Sequence, residues 1–164
     1  MNRIFYITIL AVLLILPVIL GGTYYTNLAS QILIAAIFAM SLNLLVGYAG
    51  LTSLGHAGYL GLAAYISSWL TVKLGWGHAS TAAIAIISTT IIAGIFGLIA
   101  LRATGISFLM ITLAFGQILW GLAYRWASVT GGDNGISGIT RPHLFGLDLG
   151  EASYFYYFTL AIFL

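Results

Sequence analysis

Five long stretches of this chain carry no Asp, Glu, Lys or Arg: Ile4–Leu20, Leu28–Val46, Leu51–Val72, Ala79–Leu101 and Gly105–Tyr124. A helix that crosses the hydrocarbon core of a bilayer needs about 20 mostly apolar residues, within a range of roughly 17–25. Each stretch meets that length. With no water available inside the bilayer, a spanning segment must satisfy its own backbone N–H and C=O groups, as a helix does. A sixth apolar run begins near Ser153 and continues to Leu164, too short to cross as a helix. The expected fold class is all-α, a single polytopic transmembrane helix bundle over residues 1–164, read as the N-terminal part of a longer polypeptide.

Composition closes off the soluble alternatives. The chain is 62% hydrophobic and 5% charged, against about 25% charged residues in an average soluble domain. The cations Arg3, Lys73, Arg102, Arg125 and Arg141 are scattered, and the net charge is only +2. No basic stripe is present to neutralise phosphates, so no nucleic-acid partner is expected; the expected partner is the lipid bilayer. The absence of cysteine removes disulfides, thiolate nucleophiles and cysteine-based metal sites together. The first apolar stretch is long for a signal-peptide core and is followed by Gly21-Gly22-Thr23 rather than an A-x-A-like site, so it is expected to be retained.

Two connections differ sharply. Only Arg102, Ala103 and Thr104 separate the fourth and fifth stretches, which predicts a tight antiparallel hairpin. Arg125 to Ala152 is the one long polar stretch and holds all three acids. With the N-terminus inside and every stretch crossing, Arg3 and Arg102 lie inside while Lys73, Arg125 and Arg141 lie outside. The positive-inside rule counts only Lys and Arg, so orientation stays open.

The third stretch is unlike its neighbours, with Gly47, Gly50, Gly55, Gly58 and Gly61 crowded together. Each glycine costs a helix about 1 kcal/mol relative to alanine. Such a cluster suits either close helix packing, with Ala57 and Gly61 as a small-xxx-small pair, or an interrupted helix lining a solute path. Both readings stay open. His56 is the ionisable residue of this region, and an intramembrane ionisable group is a functional candidate by default. It sits near a boundary and no acid lies within any apolar stretch, so a packing role is expected of it. Gln31, Ala35, Ala39 and Asn43 follow one another at i+4 on the second stretch, a ridge suited to helix contact rather than lipid. Gln117 on the fifth is a similar case. In the long polar stretch, Gly132, Asp133, Asn134 and Gly135 read as turn chemistry or as a loop on which a partner docks. No Lys follows Lys73, so there is no phosphate-binding G-x-x-x-x-G-K-[S/T] loop, and no zinc, calcium or nucleophile-elbow motif is present. The expectation is no enzyme, no metal and no cofactor.

The run from Asn43 to Ala57 (NLLVGYAGLTSLGHA) resembles the signature of branched-chain amino-acid ABC transporter permeases of the LivM type. Leu101–Ile106, Thr112–Gln117 and Thr130–Gly135 are similar to later blocks of that family, in the same order. The resemblance covers about residues 30–140. It implies a subunit of a bacterial or archaeal cytoplasmic membrane that pairs with a second, related permease, two ATP-binding subunits and an extracytoplasmic solute-binding protein. It also implies that the surface coupling to the ATPase lies beyond the residues of this chain. Urea and short-chain amide permeases are close relatives of that family. An ATPase-independent, channel-like facilitator is the rival from another class, and an intramembrane enzyme would need a catalytic partner that His56 lacks. On either transport reading, Gly105–Tyr124 crosses once between Thr104 and Asp133. Thr104→Cys and Asp133→Cys, in this cysteine-free chain, are therefore expected to react with an impermeant thiol reagent from opposite sides of the membrane; labelling of both from one side would show that the stretch does not span.

Overall fold

The computed structural model describes residues 3–140, 142–144 and 147–164. In chain order the elements are α1 (Arg3–Leu20), α2 (Thr23–Ala49), α3 (His56–Leu74), α4 (His78–Ala100), α5 (Ile106–Arg125) and a short α6 (Ala127–Thr130). A single 3-10 turn, Gly132–Asn134, follows, then a two-residue antiparallel pair, β1 (His143–Leu144) with β2 (Leu147–Asp148), and α7 (Ala152–Phe163). Among the described residues, α2, α4 and α5 are long and apolar enough to cross a membrane. The remaining apolar helical runs, Ile7–Ile19 and Ala152–Phe163, are shorter, and α3 carries Ser67, Ser68, Thr71 and Lys73 in its second half. Large apolar side chains stand outward along the spanning helices; Leu98 is 72% exposed and Met110 68%. Surface of that kind is expected where lipid, not water, is the solvent.

The third apolar stretch departs from the sequence expectation of one helix over Leu51–Val72. The chain leaves α2 at Gly50, whose φ of +64° is a conformation open to glycine and rare for other residues. Residues 51–55 are not helical, and α3 begins only at His56. Gly75 ends α3 in the left-handed conformation, returning its N–H to the Thr71 carbonyl, while Trp76 N–H reaches Leu70. This is a Schellman-type cap.

The contacts divide the chain into two compact units, each described separately. One comprises Met1–Ser41 and Arg141–Leu164. Its core joins Ala29 and Leu33 of α2 to Tyr156 and Leu160 of α7, with Leu13 and Leu16 of α1 packed against them. The buried side of α2 here is Thr26, Ala29, Ser30 and Leu33. The ridge of Gln31, Ala35, Ala39 and Asn43 lies on another face and is exposed within this chain. The hydroxyls of Thr26 and Ser30 are satisfied inside the helix, bonding to the carbonyls of Gly22 at 3.1 Å and Thr26 at 3.0 Å.

Pro17 sits inside α1 and has no N–H to give the carbonyl of Leu13, one turn back. The fully buried Tyr156 supplies that donor instead, its hydroxyl reaching the Leu13 oxygen at 2.8 Å. The Tyr157 hydroxyl adds a second bond, to the neighbouring Leu14 carbonyl at 3.1 Å. The proline's vacancy thus becomes the point at which α7 grips α1.

The second unit, Leu42–Thr140, is built on α3, which packs against α4 most extensively and α5 next. Thr71 of α3 and the buried Thr81 of α4 join hydroxyls at 3.3 Å near one end of the pair. Phe96 of α4 stacks on Phe115 of α5 with centroids 4.2 Å apart, and Tyr59 of α3 lies 6.4 Å from Phe96. Arg102–Thr104 and Gly105, at φ +58°, close the α4–α5 hairpin.

A carbonyl buried without its donor costs about 1–3 kcal/mol. Tyr156→Phe is therefore expected to lower the unfolding free energy of the protein in detergent by about that amount, and Tyr157→Phe, more exposed, by less. Equal stability of Tyr156→Phe and the parent would show that the Leu13 carbonyl does not depend on this hydroxyl.

Candidate functional site: the glycine-notched cavity of the second unit

Lipid is as apolar as leucine, so membrane helices gain little from simple hydrophobic contact and associate where small residues let their backbones meet. Gly55 and Gly58 meet Gly116 of α5 in this way. A Cβ placed on Gly55 would collide with the backbone carbonyl of Thr112, and one on Gly116 would stand 3.1 Å from the Gly55 Cα. A Cβ on Gly58 would stand 3.2 Å from both the Gly116 Cα and the Leu119 side chain. Thr112 completes the joint. Its buried hydroxyl donates to the Leu109 carbonyl at 3.0 Å and accepts the Leu54 N–H at 3.2 Å, holding the non-helical segment ahead of α3.

Beside this contact lies a half-open cavity of about 780 Å³, wholly within the second unit. Small-molecule sites commonly span about 300–1,000 Å³, with mostly apolar walls and a few polar groups. Leu54, Leu62, Ile66 and Leu113 form part of the wall, and Trp69, Trp120 and Trp126 give it an aromatic side. Gly61 lies on the wall with nothing within 4 Å of where its Cβ would be. Of the residues singled out in the sequence, Gly55, Ala57, Gly58, Gly61, Gln117, Gly132 and Asp133 converge on this space.

The others stand elsewhere. Asn43 and Gly47 are exposed on α2, and a Cβ on Gly47 would meet only Asn43 Oδ1, at 4.0 Å. Gly50 makes the turn out of α2, and the half-buried His56 begins α3 without lining the cavity. Asn134 and Gly135 belong to the loop but not to the wall.

That loop is held in place by Thr130, which the sequence reading quoted only as the first residue of the Thr130–Gly135 block and gave no role. Its buried hydroxyl faces the carbonyls of Ala123 at 2.5 Å and Trp126 at 2.9 Å, and it accepts the Gly132 N–H at 3.1 Å. Gly131 and Gly132 follow at φ +78° and +58°, and Gly131 sits where a Cβ would strike the Gly135 carbonyl. The result is a hydrogen-bonded turn that sets Gly132, Asp133 and Ile136 on the cavity wall. Among the described residues no group of three or more His, Cys, Asp or Glu side chains is close enough to hold a metal. What this arrangement offers is an apolar recess with a few polar side chains, suited to holding a solute.

Forcing an extra carbon into a close contact typically costs about 1–3 kcal/mol. Gly55→Ala is expected to lower stability by that amount and Gly58→Ala by somewhat less. Gly61→Ala faces open space on a helix and is expected to be neutral, or stabilising by up to about 1 kcal/mol. Unfolding midpoints of the three purified variants in detergent check this; equal midpoints for Gly55→Ala and Gly61→Ala would contradict the close approach.

The profile of the family described as "Branched-chain amino acid transport system / permease component" matches residues 24–164. The chain is 31% identical over 153 residues to the high-affinity branched-chain amino acid transport system permease protein LivM of Escherichia coli (strain K12), a match covering 93% of this chain and 36% of that protein. It is 32% identical over 127 residues to the protein of the same name from Salmonella typhimurium, covering 77% of this chain and 30% of the relative. The chain thus spans about a third of the length of the curated relatives it matches. No solved structure matches it significantly. On the family match and the spanning helices together, the chain is a multi-pass membrane protein that belongs to the permease-component family of branched-chain amino acid transport systems.

Proposed function

We propose that this chain is part of the membrane-spanning permease of an ABC importer, carrying branched-chain amino acids across the cytoplasmic membrane. The observation that supports this most is the apolar cavity framed by α3, α5 and the Gly131–Gly135 turn, in a chain whose relatives are named as branched-chain amino acid permeases. Its role is to line the path. The residues assigned to that path or its packing are Gly55, Gly58, Gly61 and Gln117, with Asn43, Gly47, Gly50 and His56 at the approach from α2. The turn Gly132–Gly135 is assigned as a surface on which a partner docks, with Gly132 and Asp133 bordering the cavity as well. A second, related permease, two ATP-binding subunits and an extracytoplasmic solute-binding protein complete the assembly, and nucleotide-driven population shifts between inward- and outward-facing states supply the energy.

Reconstitution of the full permease into liposomes, with and without these partners, tests the proposal. Uptake of leucine, isoleucine or valine is expected only with ATP, the ATP-binding subunits and the binding protein all present. The same dependence with urea or a short-chain amide would replace the solute and keep the mechanism. Downhill uptake by the permease alone would overturn the importer reading in favour of a facilitator.

A further inference from the structure

Among the described residues, the cavity wall carries one formal charge. Asp133 is the only Asp, Glu, Lys or Arg among the described residues that line it. The other polar wall groups include Ser88 and Thr130, whose hydroxyls are already bonded to backbone carbonyls, Ser88 to Ile84 at 2.6 Å. Asp133 has no hydrogen-bond or ion-pair partner among the described residues. It is exposed, and it follows directly on Gly131 and Gly132 in the turn where the Thr130 hydroxyl takes the Gly132 N–H. A carboxylate held at the edge of an apolar recess attracts a cation more strongly than one in open water, because low-dielectric walls focus its field.

We propose that Asp133 is the charge-selecting residue of this cavity, receiving the ammonium of a small solute whose branched aliphatic part lies against the leucine and isoleucine wall. The inference rests on the transport reading above and adds a recognition rule to it. No Lys or Arg faces a solute carboxylate from the described wall, where the donors include only uncharged groups such as the Gln117 amide and the Tyr65 and Tyr124 hydroxyls, so that group contributes less to binding than the ammonium. Recognition therefore follows the amine and the alkyl chain. Branched alkylamines fit the site; α-keto acids of the same skeleton, and neutral molecules such as urea, do not.

Trp69, Trp120 and Trp126 line the same cavity and report its occupancy through their fluorescence. The full permease, purified in detergent without its binding protein, is titrated with leucine, isopentylamine, α-ketoisocaproate and urea. Leucine and isopentylamine are expected to give saturable changes, and α-ketoisocaproate and urea none. Asp133→Asn, which keeps the side chain's shape, is expected to weaken both amines by at least roughly tenfold, the worth of a charge-assisted hydrogen bond, while Asp133→Glu retains most of the affinity. Unchanged affinity in Asp133→Asn, binding of α-ketoisocaproate as tight as that of leucine, or no saturable response to either amine would each overturn the proposal. ATP-dependent leucine uptake by the complete transporter, measured in parallel, separates the two claims: intact uptake in Asp133→Asn removes the charge-selecting role alone, whereas no uptake by the parent removes the transport reading itself.

Discussion

The approach of Gly55 and Gly58 to Gly116 is the contact on which the second unit depends. Two backbones in van der Waals contact gain dispersion along their length without any side chain between them, which is the main source of cohesion left when the solvent is lipid. The Leu54 N–H on the Thr112 hydroxyl adds a hydrogen bond where the chain is not yet helical. Because the joint admits no Cβ at Gly55, α3 and α5 are pinned close there. The aromatic group of Tyr59, Phe96 and Phe115 ties the same helices to α4. Where the side chains are larger, beyond Gly58, the recess lined by Gly61 and Gln117 opens.

The other unit answers the same requirement by a different route. There the problem is a carbonyl deprived of its donor by Pro17, and the answer is a tyrosine hydroxyl from α7. In both units a local departure from a regular helix is where another segment attaches. A bilayer enforces this economy, since an unpaired backbone group has no water to fall back on.

Much of this was legible in the sequence. Charge-free stretches of spanning length announced the helices, and the glycine crowding between Gly47 and Gly61 marked the unusual segment. The sequence reading left open whether that crowding meant packing or path lining, and the glycines do not all play one structural part. Gly55 and Gly58 pack against α5 while also bordering the cavity, Gly61 borders it with open space before it, and Gly50 makes a turn. Nothing in local spacing separates these roles, because they depend on which face of α3 meets α5. For the same reason Thr112 and Gly116 drew no notice as partners of the cluster: a lone Thr and Gly on an apolar helix carry no periodic signal. Thr130 was hidden differently, since its importance comes from three backbone groups that only the folded turn brings within reach. The unwound Leu51–Gly55 falls within the glycine cluster for which an interrupted helix stood open, although the apolar residues there also fit one helix over Leu51–Val72.

The central claim, that α3 and α5 touch backbone to backbone, is most directly tested by a double-mutant cycle on Gly58→Ala and Gly116→Ala, measured as unfolding free energies in detergent. Residues in direct contact couple by about 0.5–3 kcal/mol, whereas independent sites add to within about 0.3–0.5. One displacement of α3 from α5 relieves both added methyl groups, so the double variant is expected to be more stable than the sum of the singles predicts, by at least about 0.5 kcal/mol. Strict additivity of the two substitutions would mean that these glycines do not meet, and the account of the cavity built beside them would fall with that contact.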